Sequence, residues 1–256
     1  MAEKIAPEKD ELILEVGPGE GILTDILAQK GVDVLAIEKD SRLIPILKDK
    51  FKNQKNVTIL EDDILKLKIE TLTGNWKLKI ENYKIVGNIP YYITSHLLRI
   101  VLENWPKPKL ILFMVQKEVA QRIVAKPPKM SMLSLAVQFY AEAKIVKNVS
   151  KNNFRPIPKV DSALIKIIPK QGPEILTKDY KLKTINFFKL ARAGFSNKRK
   201  QILNSLVNNL KLEKSLIIQA LTEAKVDPSR RPESLQIEEW EKLTKLLFPP
   251  SPPKLS

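Results

Sequence analysis

Cysteine is absent from all 256 residues, which excludes disulfides, a cysteine-based zinc site and thiol catalysis. Histidine occurs once, at His96, and is assigned no catalytic role; no metal site is expected. No apolar run reaches the roughly 18 residues of a membrane span, and Met1–Pro7 lacks the apolar stretch of a signal peptide. These absences lead us to expect a soluble, cytoplasmic monomer with no membrane partner. Acidic charge is also in short supply: 44 Lys and Arg face 29 Asp and Glu, a net charge of +15. The excess is not confined to one tail, since residues 171–256 hold 16 basic against 9 acidic side chains. A balance of that sign favours a polyanionic partner through phosphate neutralisation and counterion release, and nucleic acid is the partner it suggests. Glycine is sparse as well, with eight in the chain, yet three of the eight fall within five residues.

With 43% hydrophobic residues the chain can bury an ordinary core. Apolar runs at 12–16, 34–38, 57–60, 85–88 and 110–115 read as buried strands. Helical patterns alternate with them at about 22–30, through Phe51, 95–103 and 117–124. Strands alternating with helices mean βαβ units and a parallel sheet covered on both faces. After Pro127-Pro128 the rhythm changes. A helix near 134–142 leads to strands at 143–149 and 163–168 with no long helix between them, which predicts an antiparallel pair at the sheet edge. Pro169–Pro173 reads as a linker, followed by helices near 180–193, 198–209, 214–224 and 238–247 and a frayed Pro-rich tail at 249–256. The fold class is therefore α/β, with a mostly parallel sheet in residues 1–170 and a small all-helical domain in residues 171–256.

Two motifs carry chemistry. Glu15-Val16-Gly17-Pro18-Gly19-Glu20-Gly21 joins the first strand to the first helix, where glycines let a cofactor approach the backbone at the carboxyl end of the sheet. The spacing is G-x-G-x-G, one residue short of the dinucleotide fingerprint. The carboxylate of Glu15 repels a pyrophosphate but suits a cationic, amino-acid-bearing cofactor, which favours S-adenosylmethionine over a nicotinamide dinucleotide. Glu38, ending the second strand, can accept from the ribose hydroxyls, and Asp62, after the third, from an adenine amino group. Asn88-Ile89-Pro90-Tyr91 ends the fourth strand. There the Asn88 side-chain oxygen and the Pro90 carbonyl can each accept one hydrogen of an amine conjugated to a ring, and Tyr91 offers that ring a stacking face. Phe154-Arg155-Pro156-Ile157-Pro158 reads as a rigid exposed loop.

These segments, with Met114–Arg122, Phe154–Ala163 and Phe195–Lys200, resemble the ribosomal RNA adenine N6-dimethyltransferases of the KsgA family, in the wider group that includes the Erm methylases. The resemblance runs from about Asp10 to Leu247. It implies a Rossmann-like class I S-adenosylmethionine-dependent methyltransferase domain and a helical RNA-binding domain. Gly17, Gly19 and Gly21 would line the methionine end of the cofactor, Glu38 its ribose and Asp62 its adenine. Asn88 would hold the target N6 amine between Tyr91 and a second stacking aromatic, Phe154. Arg155, Lys159, Lys198, Arg199, Lys200, Arg230 and Arg231 are candidate RNA contacts. The implied activity dimethylates two adjacent adenines near the 3′ end of small-subunit rRNA, with the small ribosomal subunit as partner. An Erm-type large-subunit methylase and a non-catalytic small-subunit assembly factor are the alternatives; a DNA adenine methylase fits less well. Family members carry an N-terminal Gly-Gln-x-Phe-Leu segment that closes over cofactor and base, and these 256 residues do not contain it.

Overall fold

The computed structural model describes residues 1–8, 11–69, 72, 82–170, 178–197 and 199–249. The expected linker after Lys170, the tail from residue 250 and Lys198 lie outside them. Continuous runs of apolar residues become central strands because both their faces are covered. Thus β1 (Leu12–Val16), β2 (Asp33–Glu38), β4 (Tyr83–Asn88) and β5 (Leu110–Gln116) are buried almost throughout. By contrast β3 (Val57–Glu61) is half-exposed, as an edge strand is. The last two strands, β6 (Ala141–Val149) and β7 (Ser162–Pro169), pair antiparallel, and β7 also pairs antiparallel with β5. Together they form one seven-stranded sheet in the order β3-β2-β1-β4-β5-β7-β6. On one face the helices Ala2–Ile5 and Ile22–Ala28 bury Ile5 and Leu27 against Ile13, Val34, Val86 and Leu112.

The chain divides into two compact units, residues 1–121 with 140–170 and residues 122–139 with 171–256. The first unit holds the whole sheet. The second is helical, with helices at Lys178–Phe195, Ile202–Asn209, Lys214–Ala224 and Ile237–Leu247. Residues 122–139, assigned from the sequence to the first domain, cluster with the second. The cause is aromatic packing: Phe139 stacks on Phe187 at 4.2 Å and meets Phe188 edge-on at 5.4 Å. Within the same unit Gly194 lies so close to Trp240 that a Cβ there would overlap the indole.

One strand junction in the first unit governs the ligand-facing edge of the sheet. β1 pairs in parallel with β2 on one side and β4 on the other. The sheet therefore reverses its winding between β1 and β4, where open α/β sheets bind ligands beyond the carboxyl ends of their strands. At that junction Gly87 faces Val16, and a Cβ at Gly87 would lie 2.7 Å from the Val16 carbonyl oxygen. Backbone cannot swing aside as a flexible side chain can. Gly87→Ala should therefore lower stability by about 1–3 kcal/mol, read as a lower denaturant midpoint at unchanged slope. An unchanged midpoint would mean that β1 and β4 separate freely.

Candidate active site

Strand register brings the two motifs together. Val16 lies opposite Gly87 on one side and Ile37 on the other, and Glu38 lies opposite Glu61. The alignment continues past the strands: the Gly17 amide donates to Ile37 at 2.9 Å, that of Asp62 to Glu38 at 3.0 Å and that of Ile89 to Met114 at 3.0 Å. Asp62, Glu38, Gly17 and Asn88 thus stand in a row along one edge of the sheet.

The three loop glycines all have positive φ, at 65°, 59° and 74°. At Gly17 and Gly19 a Cβ would meet nothing within 4 Å, so their bare backbone borders open space. Gly21 differs, for a Cβ there would lie 2.7 Å from the Phe51 ring, so packing behind the loop also requires glycine at this position. Lys50, in the helix Ile44–Lys50, donates to the Glu20 carbonyl at 2.8 Å and clips the loop in place.

Three acids line this edge. Glu38 is 8% exposed, and its carboxylate accepts from the amides of Gly19 at 3.2 Å, Lys39 at 2.8 Å and Asp40 at 2.9 Å. A carboxylate has about four acceptor sites, so one remains for a ribose hydroxyl. Glu15 is 2% exposed and accepts one hydrogen bond, from the Thr24 hydroxyl at 2.7 Å. Burial pushes its pKa up to about 7; the Thr24 bond opposes that rise and the nearby Glu38 adds to it. Asp62 is half-buried and accepts from the Asp63 amide at 2.6 Å. Open glycine backbone, buried carboxyls and a half-exposed acid fit a cofactor with a cationic amino-acid end, a ribose and an adenine.

On the other side Ile89, 1% exposed, anchors the tetrad while Asn88 and Tyr91 point outward. The Tyr91 hydroxyl reaches Ser162 Oγ at 3.5 Å. Phe154 arrives from the loop between β6 and β7, and together with Asn88, Pro90, Tyr91, Pro156 and Pro158 it lines an open cleft of about 410 Å³. The Pro90 carbonyl, expected to accept from the target amine, already accepts from Ile93 N at 3.1 Å and Thr94 Oγ1 at 3.4 Å. The Ile89 carbonyl accepts from neither of these donors.

The expected RNA contacts divide. Lys159, Arg199, Lys200 and Arg231 are exposed. Arg155 is exposed too, but donates to the carbonyls of Asn152 at 3.3 Å and Phe154 at 3.1 Å and so braces its own loop. Arg230 departs from expectation. Its guanidinium is forked on Glu239 at 2.5 and 3.0 Å and also bonds the Ser234 carbonyl, which makes it a clamp within the helical unit. Sequence reasoning missed Gly87, Thr24 and Ser162 as supports of the site. Only Gly87 had a legible signal, an isolated glycine within a strand.

Residues 1–248 match the family described as Ribosomal RNA adenine dimethylase. The chain belongs to this family. Its relatives include the Ribosomal RNA small subunit methyltransferase A of Dehalococcoides mccartyi, 43% identical over 91% of this chain and 77% of that protein. The protein of the same name from Bacillus licheniformis is 41% identical over 89% and 78%. Among solved structures the dimethylase resembles the 23S rRNA methyltransferase ErmE, with TM-score 0.72 and 27% identity over 96% of this chain and 94% of that one. A dimethyladenosine transferase from Plasmodium falciparum follows with TM-score 0.73 and 26% identity over 94% and 91%. The first unit therefore has the Rossmann-like fold of the S-adenosylmethionine-dependent rRNA adenine dimethyltransferases, and S-adenosylmethionine is the cofactor.

Glu15 gives the dimethylase a pH signature. Its pKa is raised on folding from 4.5 to about 7, so the unfolded chain loses this proton first as pH rises. The contribution of Glu15 is thus most favourable below pH 4.5 and is lost as pH climbs to about 7. Glu15→Gln keeps an acceptor for Thr24 and cannot ionise. Its stability relative to wild type should rise by about 3 kcal/mol across that window, measured by denaturant unfolding at a series of pH values without cofactor. A flat difference would show that Glu15 titrates normally.

Proposed function

We propose that this dimethylase converts two adjacent adenines near the 3′ end of small-subunit rRNA to N6,N6-dimethyladenine, acting as a cytoplasmic monomer on the small ribosomal subunit. One observation carries the reading: Asn88 and two aromatic side chains line a cleft at the strand end adjoining the glycine loop. The small-subunit target is supported by the names of the relatives at 41–43% identity, against 27% for the large-subunit enzyme.

S-adenosylmethionine supplies an electrophilic methyl group on a sulfonium. The chain's task is to make a poor nucleophile attack it, because the N6 lone pair of adenine is delocalised into the ring. Asn88 Oδ1 accepts one hydrogen of the amine. The Ile89 carbonyl accepts the other, since the Pro90 oxygen already has two donors. In the first transfer, drawing both hydrogens to one side favours a pyramidal nitrogen with its lone pair directed toward the glycine loop; in the second a single hydrogen remains to be held, and each transfer releases one N6 proton to solvent. Rate then comes from positioning and fixed dipoles, without a strong general base. Tyr91 and Phe154 sandwich the base and offset its unstacking by about 1–3 kcal/mol per stacked ring. The uncompensated acid Glu15 favours the cationic end of the cofactor, whose charge in turn favours ionised Glu15.

The test is incorporation of labelled methyl groups into unmethylated small and large subunits side by side. Incorporation should be confined to the small subunit. Asn88→Ala should lower kcat by about a hundredfold or more, and Phe154→Ala should raise KM for RNA roughly tenfold to a hundredfold. Labelling of the large subunit alone would reassign the target, and no labelling of either would remove the enzymatic reading.

A further inference from the structure

The loop between β6 and β7 has two sides. One lines the base cleft with Phe154, Pro156 and Pro158. The other borders a second cleft, of about 480 Å³, whose lining includes Lys117, Lys151 and Lys159 and the amide residues Gln116 and Gln121. The two clefts are linked through Ser162. Gln116 ends β5 directly opposite Ser162 of β7, and Ser162 Oγ is the atom the Tyr91 hydroxyl approaches at 3.5 Å.

The chemistry of the second cleft differs from that of the first. Among the described residues no aromatic ring lines it, so it offers a base nothing to stack on. Within the same set none of its three lysines forms an ion pair, so all three charges are available to a ligand. Two acids also line it. Asp161 is occupied with the backbone, its carboxylate accepting from the Lys151 amide at 3.1 Å and its carbonyl from the Lys117 amide at 3.0 Å. Glu118 is exposed. The Asp161 bonds tie the loop to the end of β5, so the lysine backbones are held before any ligand arrives. Unpaired ammonium groups beside neutral amide donors suit phosphodiester oxygens and ribose hydroxyls.

We propose that this second cleft holds the sugar–phosphate backbone of the nucleotide flanking the target adenine. The inference rests on the proposed reading of the first cleft as the target-base site. A base that leaves its stack turns about its own backbone, so its flanking phosphates stay at the mouth of the pocket it enters. Cations in the cleft that Gln116 and Ser162 connect to Tyr91 are placed to take them.

The double variant Lys117→Gln/Lys151→Gln tests this, because the hydrogen bonds that both residues make to Asp161 come from backbone amides. Binding of unmethylated small subunits would be measured across a salt series, alongside cofactor affinity and the thermal midpoint. A second double variant of equal charge change, Lys4→Gln/Lys30→Gln, lies away from both clefts and serves as control. For the cleft variant the slope of log affinity against log salt should fall by about 0.7 for each phosphate no longer neutralised. Affinity should drop about tenfold at low salt and converge with wild type at high salt, while cofactor affinity and midpoint stay unchanged. A slope equal to wild type, or one matched by the control variant, overturns the proposal. Wild-type protein that does not bind the small subunit would sink the substrate reading and this inference together. Active wild type with an unaltered slope in the variant would sink the cleft alone.

Discussion

The contact between β1 and β4 is the constraint on which the functional end of this protein depends. Adjacent strands run about 4.8 Å apart, and Gly87 against Val16 lets these two take that spacing at the point where the sheet reverses its winding. One consequence is that the loop at Gly17–Gly21 and the side chain of Asn88 leave the sheet as immediate neighbours. In the proposed reaction a donor bound over the glycines and an acceptor held at Asn88 would meet without any rearrangement of the sheet. The remaining strand ends add to that junction in order, Glu38 and Asp62 on one side and Met114 on the other.

The two ends of β1 handle buried charge in opposite ways. At the amino end Glu11 is 1% exposed and pairs with Lys84 at 2.7 Å, with Lys109 at 3.4 Å beyond it. Burial, the largest single influence, opposes ionisation of that carboxyl, but the hydrogen bonds from Lys84, the Glu8 amide and Lys109 and the charge of Lys84 together outweigh it, and its pKa falls below the ordinary value. At the carboxyl end Glu15 has only a threonine hydroxyl and its pKa rises. A buried acid without a cation is costly unless a ligand supplies one. The first arrangement holds residues 1–8 against the sheet through Lys84 and the Ala6 carbonyl at 2.8 Å. The second sets an uncompensated carboxyl beside the glycine loop, where it favours positive charge.

On the target side the protein relies on rigidity rather than charge. Ile89 is sunk into the core, and Pro90 closes a turn with its oxygen already bonded. These two residues hold Asn88 and Tyr91 outward at defined positions. The Asp161 hydrogen bonds do the same for the loop that carries Phe154, so the stacking faces are supplied by a strand end and a braced loop from opposite edges of β5.

Much of this was legible in the sequence because it is written in short windows. Apolar runs of five or six residues specify buried strands, glycines at alternate positions specify a loop of positive φ, and Asn88–Tyr91 marks a strand end that presents an amide and a ring to a cleft. All seven strands lie where periodicity places them. Other features depend on which faces meet across the fold, and no local pattern encodes that. The strand order, the meeting of Phe154 with Tyr91 and the grouping of residues 122–139 through Phe139 are contacts between distant segments. Only the folded structure shows the Pro90 oxygen to be occupied, the guanidinium of Arg230 to be committed to Glu239, and Lys117, Lys151 and Lys159 to share one cleft. A residue's type sets what it can bond, and its neighbours in space decide which of those bonds remain free for a substrate.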